Sequence, residues 1–519
     1  MKAPPRFIPV RKLKEEQGHM TDYVVAIDHG TTSTRAIFFT HGADIASIAS
    51  LEQEQILLHP GWVEHDPVEI WENTRTVLVK ARESLEDDSA RILAIGVTNQ
   101  RETTVVWDPI TGKPVYNAIV WQDTRTQGLI DELSRDGGAD RLRADTGLPL
   151  APYFSASKIN WILNSVEGAR SRAEAGELLC GTMDSWLVWN LTGGANGGSH
   201  VTDVTNASRT LLMDLATVTW REDLAALFDV PMSMLPTIIP SSSVVAPVVG
   251  IPGFEGVPVA GILGDQQSAN FGQAAVYPGE SKNTYGTANS LVVNVGTTPV
   301  PSKKGLLSTV AYQLEGQPPT YALEGVIAVA GSLIHWLRDS LELISEFSEV
   351  ETLAGQVEDN GGAYIVPAFS GLFAPYWRAD ARGVFVGLTQ FVKRAHIARA
   401  ALEAIAFQSS EIVTAMQEDT GWKMQEIRVD GGMVRNDLLM QFQADILGIP
   451  VLRPMVIEST ALGAAYVAGL AVGFWRDLEE IRANWKEDKR WEPTMSSTDR
   501  EHLLSQWAKA VEKSLGWAI

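Results

Sequence analysis

The segment at residues 28–35, Asp-His-Gly-Thr-Thr-Ser-Thr-Arg, has the residue types of a phosphate-binding turn. It lies between two apolar runs, residues 24–27 and 36–39, which predict paired strands. Gly30 lets the backbone approach a ligand without an intervening Cβ. Successive N–H groups in such a turn form a concavity that accepts anions, and neighbouring hydroxyls add further donors. The hydroxyl side chains of this turn are Thr31, Thr32 and Ser33.

The two charged residues at the ends of this segment fit the same chemistry. Arg35 is long enough to reach a terminal phosphate, and Asp28 can hold Mg²⁺ through water. An ordinary Thr/Ser-rich hairpin with an aspartate cap would show the same pattern. The segment alone therefore does not decide between a phosphate site and a plain turn.

A second glycine turn, Gly261-Ile-Leu-Gly-Asp-Gln266, follows an apolar strand and opens a predicted helix. The turn places the carboxylate of Asp265 at its tip. This carboxylate can accept the proton of a hydroxyl group that lies within hydrogen-bonding distance. The alternative is a helix N-cap aspartate, which is a common structural role and compatible with the first.

A third segment, residues 429–436, runs from a strand through Gly-Gly to a helix start. A bare Gly-Gly turn lets a flat, bulky group lie against the backbone, and Asn436 can hydrogen-bond such a group. No Walker A pattern, Gly-x-Gly-x-x-Gly or His-Glu-x-x-His motif is present in the sequence. Any ATP site must therefore be formed by these glycine turns.

The elements that position these turns alternate between strand and helix, which predicts an α/β fold. Helices are expected at residues 67–85 and from 124 onward, and a loop-rich stretch at 240–258. Residues 459–475 are uncharged and rich in Gly and Ala, but too short for a membrane span, so we expect a close-packed buried helix. The predicted early strands are Tyr23–Ile27, Thr34–Phe39, Ile92–Val97, Thr104–Trp107 and Ala118–Trp121.

The chain also contains a weak internal repeat. Residues 24–39 and residues 282–296 both place a Gly-Thr turn and a serine between two strands. Because the copies are about half the chain apart, they suggest two related halves that face each other.

The composition excludes several kinds of partner. The chain has 42 basic and 63 acidic residues and a net charge of −21, which would repel nucleic acid and anionic lipid. A single cysteine, Cys180, excludes a disulfide framework and agrees with a cytoplasmic location. No membrane insertion is expected. Residues 1–20 are predicted to be a disordered extension.

The three glycine turns, in this order, resemble those of the FGGY family of sugar and polyol kinases. Longer stretches at 62–67, 99–126, 264–273 and 282–287 resemble the members of that family that phosphorylate glycerol. The resemblance implies a two-domain actin/hexokinase-like (RNase H-like) ATPase fold with the active site in the cleft. The implied domains are residues 21–271, which bind polyol and phosphate, and residues 272–519, which bind nucleotide.

The resemblance also implies roles for individual residues. Glycerol would be the acceptor, Mg-ATP the phosphate donor, and Asp265 the catalytic base and, with Asp28, a metal ligand. A homodimer or homotetramer is implied without a defined interface. The implied polyol-binding residues are Arg101, Glu102, Trp121, Tyr153, Asp265 and Gln266. The implied ATP-binding residues are Thr31, Thr32, Ser33, Arg35, Thr287, Gly331, Gly432 and Asn436.

Two positions depart from the family pattern. Ser290 stands where a phenylalanine is usual beside the triol, and His335 where a glutamine is usual near the nucleotide. The loss of an apolar wall at Ser290 keeps another polyol or a ketose open as the acceptor. The loop at 240–258 lacks the basic, glycine-rich sequence that binds fructose 1,6-bisphosphate, so insensitivity to that effector is expected. An actin-like nucleotide switch is the alternative from another class, but it would have no use for the predicted polyol-binding residues.

Overall fold

The computed structural model describes residues 21–85, 87 and 89–518 of the 519-residue chain. The predicted extension at residues 1–20 lies outside the described residues.

The part of the chain before residue 273 contains fourteen described strands and nine α-helices. The strands are β1 Asp22–His29, β2 Ser33–Phe39, β3 Ile45–Glu52, β4 Glu64–His65, β5 Arg91–Asn99, β6 Thr104–Trp107, β7 Ala118–Ile119, β8 Leu179–Thr182, β9 Val201–Asp203, β10 Met213–Asp214, β11 Thr219–Trp220, β12 Thr237–Ile239, β13 Ser242–Pro247 and β14 Pro258–Gly264. The helices are α1 Pro67–Glu83, α2 Gln127–Ser134, α3 Arg143–Thr146, α4 Ser155–Ser165, α5 Ala169–Glu174, α6 Met183–Leu191, α7 Val204–Ala207, α8 Glu222–Leu227 and α9 Asp265–Gly272.

The remaining part contains nine described strands and seven α-helices. The strands are β15 Ser281–Tyr285, β16 Asn289–Gly296, β17 Leu307–Tyr312, β18 Thr320–Ile327, β19 Tyr364–Val366, β20 Val384–Val386, β21 Ile427–Asp430, β22 Val451–Pro454 and β23 Glu487–Trp491. The helices are α10 Gly331–Asp339, α11 Glu349–Ala354, α12 Arg394–Thr420, α13 Asp437–Leu447, α14 Ser459–Ala471, α15 Leu478–Asn484 and α16 Ser497–Lys513. Short 3₁₀ turns occupy Gly194–Asn196, Met232–Met234 and Gly432–Arg435.

Two mixed sheets organise the molecule. The first sheet has the order β13-β14-β5-β1-β2-β3, and the second has the order β17-β18-β16-β15-β21-β22-β23. In each sheet a central strand, β1 or β15, pairs antiparallel with the next strand along the chain. The same central strand pairs in parallel with a later strand, β5 or β21. Residues 24–39 and 282–296 were predicted to share a strand–turn–strand layout, and this is confirmed. In both segments the Gly-Thr turn joins the central strand to its antiparallel neighbour.

Helix α14 joins the later part of the chain to the first sheet. It packs on α9, β14 and β5, and its small residues allow very close approach. A Cβ added to Gly96 would lie 2.0 Å from the Ala464 carbonyl oxygen, and one on Gly463 would lie 1.9 Å from the Ser268 carbonyl oxygen. The predicted close-packed helix at 459–475 is confirmed. Among the described residues, no helix combines the length and hydropathy needed to cross a bilayer.

All five predicted early strands and the helix at 67–85 are present, with ends shifted by at most two residues. The stretch at 240–258 is less irregular than predicted, because β13 forms an edge strand that pairs with β14. The boundary between residues 271 and 272 separates the two sheets in sequence, yet α14 packs across it, so the predicted domain limits stay a prediction.

Candidate active site

The first hairpin turn, residues 30–32, joins β1 to β2 at one end of the first sheet. The Gly30 N–H donates to the Ser33 carbonyl at 2.9 Å, which closes the turn. Within the described part of the chain, the N–H groups of Thr31 and Thr32 donate to no other group, and Thr32 is exposed. The hydroxyl of Thr31 accepts a hydrogen bond from Trp121 Nε1 at 3.0 Å. The turn therefore presents free backbone donors beside Trp121.

The second hairpin turn, Gly286–Thr287, joins β15 to β16 in the second sheet. Thr287 is exposed, whereas Gly331 is buried behind the turn. The Gly331 N–H donates to the Gly286 carbonyl at 3.0 Å. A Cβ on Gly331 would lie 2.5 Å from that same carbonyl oxygen, so the close contact requires glycine. Gly331 thus stabilises the turn through close backbone contact with Gly286.

Asp28 and Arg35 lie opposite each other on β1 and β2. The Arg35 guanidinium forms ion pairs with Asp28 and with Glu458, the residue before α14. Asp28 is almost fully buried. The carboxylates of Asp28 and Glu458 raise the pKa of Arg35 above its ordinary value. In this structure Arg35 is therefore fully engaged by carboxylates.

The Gly-Gly turn at residues 431–432 follows β21 and leads into α13. Gly431 adopts a φ of 92°, and a Cβ there would lie 2.4 Å from the Tyr285 carbonyl oxygen. A Cβ on Gly432 would meet nothing within 4 Å, so its backbone faces open space. The Asn436 side-chain oxygen caps α13 by accepting the Leu439 N–H at 2.8 Å, which leaves its amide hydrogens available.

Asp265 is the first residue of α9, and Gly264 occupies the N-cap position. The N-cap alternative for Asp265 is therefore wrong. Its carboxylate lies 3.1 Å from Arg101 Nε and accepts the Gln266 N–H at 2.8 Å. Burial raises the pKa of Asp265, while the positive charge of Arg101 opposes this shift. Its side chain is 27% exposed, so it can contact a ligand in the cleft.

A cluster of buried charges surrounds Arg101. Its two terminal nitrogens donate to the two carboxylate oxygens of Glu324 at 2.7 and 2.6 Å. Arg209 Nε donates to Glu102 at 2.6 Å, and its Nη1 lies 3.2 Å from Glu324. Burial raises the pKa of Glu102, against the lowering effect of Arg209 and Arg101. Because Arg101 follows β5 and Glu324 lies on β18, the cluster joins the first sheet to the second.

Several groups in this cluster have unused hydrogen-bonding capacity. Arg101 Nε and both terminal nitrogens of Arg209 are buried without an aligned hydrogen-bond acceptor. Among the described residues, none hydrogen-bonds the hydroxyl of Tyr153, whose ring packs edge-on against Trp121 at 5.6 Å between centroids. Leaving such buried donors unpaired costs about 1–3 kcal/mol each, so the site is suited to a ligand that carries several hydroxyls.

The backbone at Glu102 is held in an uncommon conformation. Its φ is 61°, in the left-handed region that non-glycine residues rarely adopt. The carbonyl of Glu102 accepts hydrogen bonds from Thr104 Oγ1 at 2.9 Å and Ser155 Oγ at 3.1 Å, and these fix the strained turn. Strain of this kind persists where the surrounding structure determines a side-chain position.

Lys282 extends the cluster towards the second sheet. Its Nζ donates to Gln266 Oε1 at 2.6 Å and to the Ser290 carbonyl at 3.2 Å. Burial lowers the pKa of Lys282 to about 8. The Ser290 hydroxyl donates to Glu324 Oε1 at 3.0 Å, so this position adds polarity to the acceptor site.

A chain of contacts connects the predicted polyol-binding residues. Arg101 and Gln266 contact Asp265, and Arg209 connects Glu102 to Tyr153, which packs on Trp121. Both Gly-Thr turns lie at strand ends. His335 is exposed on α10 and its ring packs against Phe347 at 5.2 Å. The sequence reasoning missed Glu324, Arg209 and Lys282. Glu324 could have been found, because it is the one charged residue of the buried strand β18, TYALEGVI, and a buried charge requires a partner.

The donor set is compatible with a magnesium ion. In the described part of the chain, no three His, Cys, Asp or Glu side chains form a metal-binding group. Mg²⁺ normally keeps several waters and binds through one or two carboxylates together with substrate phosphates. Asp28 and Asp265 could supply such carboxylates.

Comparison with known proteins agrees with this geometry. Models of the FGGY family of carbohydrate kinases match residues 23–272 for the N-terminal domain and 281–472 for the C-terminal domain. The chain is 61% identical over 495 residues to a glycerol kinase of Clavibacter michiganensis, covering 95% of this chain and 98% of that relative. A glycerol kinase of Acidiphilium cryptum is 57% identical over 498 residues, covering 96% and 100%. A Plasmodium falciparum glycerol kinase solved with ADP superposes with a TM-score of 0.89 at 40% identity, covering 95% and 98%. The chain therefore belongs to the FGGY family of carbohydrate kinases.

Proposed function

We propose that this protein transfers the γ-phosphoryl group of ATP to glycerol and produces sn-glycerol 3-phosphate. The observation that carries this proposal is the group of unsatisfied donors beside Asp265. Arg101 Nε, the terminal nitrogens of Arg209 and the Tyr153 hydroxyl all lack aligned partners in the described chain. Glycerol offers three hydroxyls, each of which both donates and accepts. The 57–61% identity to glycerol kinases over nearly the whole chain supports glycerol rather than another polyol.

The acceptor would be bound by complementary groups on several sides. Arg101 and Tyr153 would donate to hydroxyl oxygens, whereas Glu102 and Asp265 would accept hydroxyl hydrogens. The Trp121 ring would pack against the carbon chain, and Gln266 would lie at the edge of the site. The hydrogen bond from Trp121 to Thr31 would couple the acceptor site to the first hairpin.

The donor nucleotide would lie between the two hairpins. The free N–H groups of Thr31 and Thr32 and the hydroxyls of Thr31, Thr32 and Ser33 would bind phosphate oxygens from one side. Thr287 would bind them from the other side. The adenosine would lie against the open backbone of Gly432. The nucleotide-binding set would be completed by Gly331, which supports the second turn, and by Asn436, whose amide is free to donate.

Arg35 would bind phosphate only after rearrangement. Both ends of its guanidinium are occupied by Asp28 and Glu458, so a phosphate oxygen would have to replace Glu458. Asp28 would then remain to hold Arg35 and a water ligand of the metal. Magnesium, once bound with ATP, would neutralise charge on the phosphate oxygens.

Asp265 would act as the base. Its carboxylate would accept the proton of the terminal hydroxyl while that oxygen forms a bond to the γ-phosphorus. The bond from the γ-phosphorus to the bridging oxygen breaks, and its electron pair leaves with ADP. The raised pKa of Asp265 suits this role, since a stronger base accepts a proton more readily. Closure of the two sheets about the cleft would exclude water and limit hydrolysis of ATP.

Ser290 favours a second candidate acceptor. Its hydroxyl bonds Glu324 and gives the site a polar wall, which suits a longer polyol or a ketose. Purified protein should be assayed for ADP release with glycerol, erythritol, dihydroxyacetone and xylulose. We expect the highest kcat/KM with glycerol. A higher value with any other acceptor would replace glycerol in the proposal, and ATP turnover unaffected by every polyol would favour a nucleotide switch.

A further inference from the structure

A single residue hydrogen-bonds every carbonyl of the first hairpin turn. Gln53, which directly follows β3, donates from Nε2 to the carbonyls of Gly30 at 2.9 Å and Thr31 at 3.1 Å. Its own backbone N–H donates to the Thr32 carbonyl at 3.1 Å. Gln53 is 8% exposed, so these bonds are shielded from water.

This arrangement determines where the N–H groups of the turn point. In a trans peptide the carbonyl and the following N–H lie in one plane and point in opposite directions. Fixing the carbonyls of Gly30 and Thr31 towards Gln53 therefore directs the N–H groups of Thr31 and Thr32 away from it. These are the two N–H groups that have no partner in the described chain.

The orientation of the Gln53 amide is itself set by a buried chain of hydrogen bonds. The Gln100 amide nitrogen can only donate, so His29 Nε2, at 3.0 Å, must accept. His29 Nδ1 then carries the proton and donates to Thr34 Oγ1 at 3.0 Å. The Thr34 hydroxyl donates to Gln53 Oε1 at 3.1 Å, which leaves Gln53 Nε2 for the turn carbonyls.

The second hairpin achieves the same orientation by other means. The carbonyls of Gly286 and Thr287 accept N–H groups from Gly331 at 3.0 Å and Ala330 at 3.1 Å. Both turns therefore have their carbonyls fixed by hydrogen bonds. In the second turn backbone N–H groups bond both carbonyls, and the Ser332 hydroxyl adds a further bond to Thr287 at 3.0 Å. In the first turn the side chain of Gln53 bonds two of the three carbonyls, so a point substitution can test the arrangement there.

We infer that Gln53 is a positioning residue that aligns the first hairpin for the phosphates of ATP. It acts through the turn and does not contact the nucleotide itself. This inference rests on the proposed function, because it takes the first hairpin to be the phosphate-binding element.

The test is Gln53→Met, which keeps the length of the side chain but removes both donors. Steady-state kinetics should be measured with ATP varied at saturating glycerol, and with glycerol varied at saturating ATP. We expect KM for ATP to rise about tenfold, corresponding to about one lost hydrogen bond, while KM for glycerol stays within about twofold. Damage to folding alone would lower kcat by reducing the active fraction and would leave both KM values unchanged.

Asn73→Ala is the matched control. Asn73 also donates from a side-chain amide to a backbone carbonyl nearby, that of Glu52 at 3.4 Å, but it does not contact the turn. We expect wild-type KM values for this variant. If Gln53→Met does not fold, Thr34→Val removes the hydroxyl that orients Gln53 and should raise KM for ATP about threefold.

The inference would be overturned if Gln53→Met, or Thr34→Val in its place, folds and has the same KM for ATP as wild type. A wild-type protein that phosphorylates no acceptor would instead overturn the proposed function. Direct titration with ADP separates the two cases further, because the inference predicts weaker ADP binding to Gln53→Met without any need for turnover.

Discussion

Glu324→Gln should weaken both the fold and the acceptor site, because Glu324 is the central anion of the buried cluster. It binds both terminal nitrogens of Arg101, lies 3.2 Å from Arg209 and accepts from Ser290. Burial alone would raise the pKa of Glu324, but Arg101 and Arg209 outweigh burial and hold it well below its usual range. The carboxylate is therefore charged at neutral pH.

The size of the effect follows from these ion pairs. Glu324 pairs with both buried arginines, Arg101 and Arg209, so the variant removes one charged partner from a buried ion-pair network. Removing one partner of a buried ion pair costs about 3–5 kcal/mol. Because glutamine keeps one acceptor oxygen for Arg101, we expect the lower end of this range, a fall of about 3 kcal/mol in the free energy of unfolding.

The kinetic effect arises because Arg101 loses its fixed orientation. A hydrogen bond from a charged donor contributes about 1.5–3 kcal/mol. At about 1.4 kcal/mol per tenfold change, kcat/KM for glycerol should fall by about 10- to 150-fold. KM for ATP should change little, since Glu324 lies on the acceptor side of the cleft.

The assay combines urea unfolding, followed by tryptophan fluorescence, with a coupled measurement of ADP release. Glu403→Gln is the control, because Glu403 is also buried and paired, with Arg399 at 2.7 Å and Asn360 at 2.9 Å, but it lies away from the acceptor site. This control should lose stability and retain wild-type kinetic constants. A change of less than about twofold in kcat/KM for glycerol in Glu324→Gln would refute the reasoning.

Three further predictions concern the base, the acceptor wall and the response to pH. Asp265→Asn should fold and bind ADP but lose phosphoryl transfer by about 100- to 10,000-fold, and near-normal turnover would remove Asp265 as the base. Ser290→Phe should lower KM for glycerol by adding an apolar wall, whereas an unchanged KM would make this position irrelevant to affinity. Burial lowers the pKa of His65 to about 4 in the folded protein. As pH drops, the unfolded state therefore takes up a proton at a higher pH than the folded state, and stability falls below about pH 6.5. Between pH 7 and 5.5 this histidine should lower the free energy of unfolding by about 1.2 kcal/mol. Urea titrations at the two pH values should show a decrease that is smaller by this amount in His65→Gln than in wild type.

The sequence was sufficient for features that depend on neighbours along the chain. The Gly-Thr turns at residues 30 and 286 were visible because strand and turn preferences act over a few residues. The close-packed helix at 459–471 was visible from its run of small residues. Asp265 was found for the same reason, since the glycine turn before it and the helix after it are both local patterns.

Contacts between distant residues were not visible in the same way. Arg101 meets Glu324 across 223 positions, and Arg35 meets Glu458 across 423. Neither pairing can be recognised from the local sequence, because each depends on how the two sheets and α14 pack together. The sequence predicted Arg35 as a phosphate ligand, and the structure adds that it is already held by two carboxylates.

The sequence by itself determined the order of strands and turns, the small-residue helix and the residue types able to bind phosphate and a polyol. The location in the cytoplasm and the oligomeric state remain predictions. Only the tertiary structure decided which buried charges neutralise one another and how the carbonyls of the first turn are oriented. The physical reason is that burying a charge or a peptide group demands a partner, and a partner from a remote strand is identified only once the chain has folded.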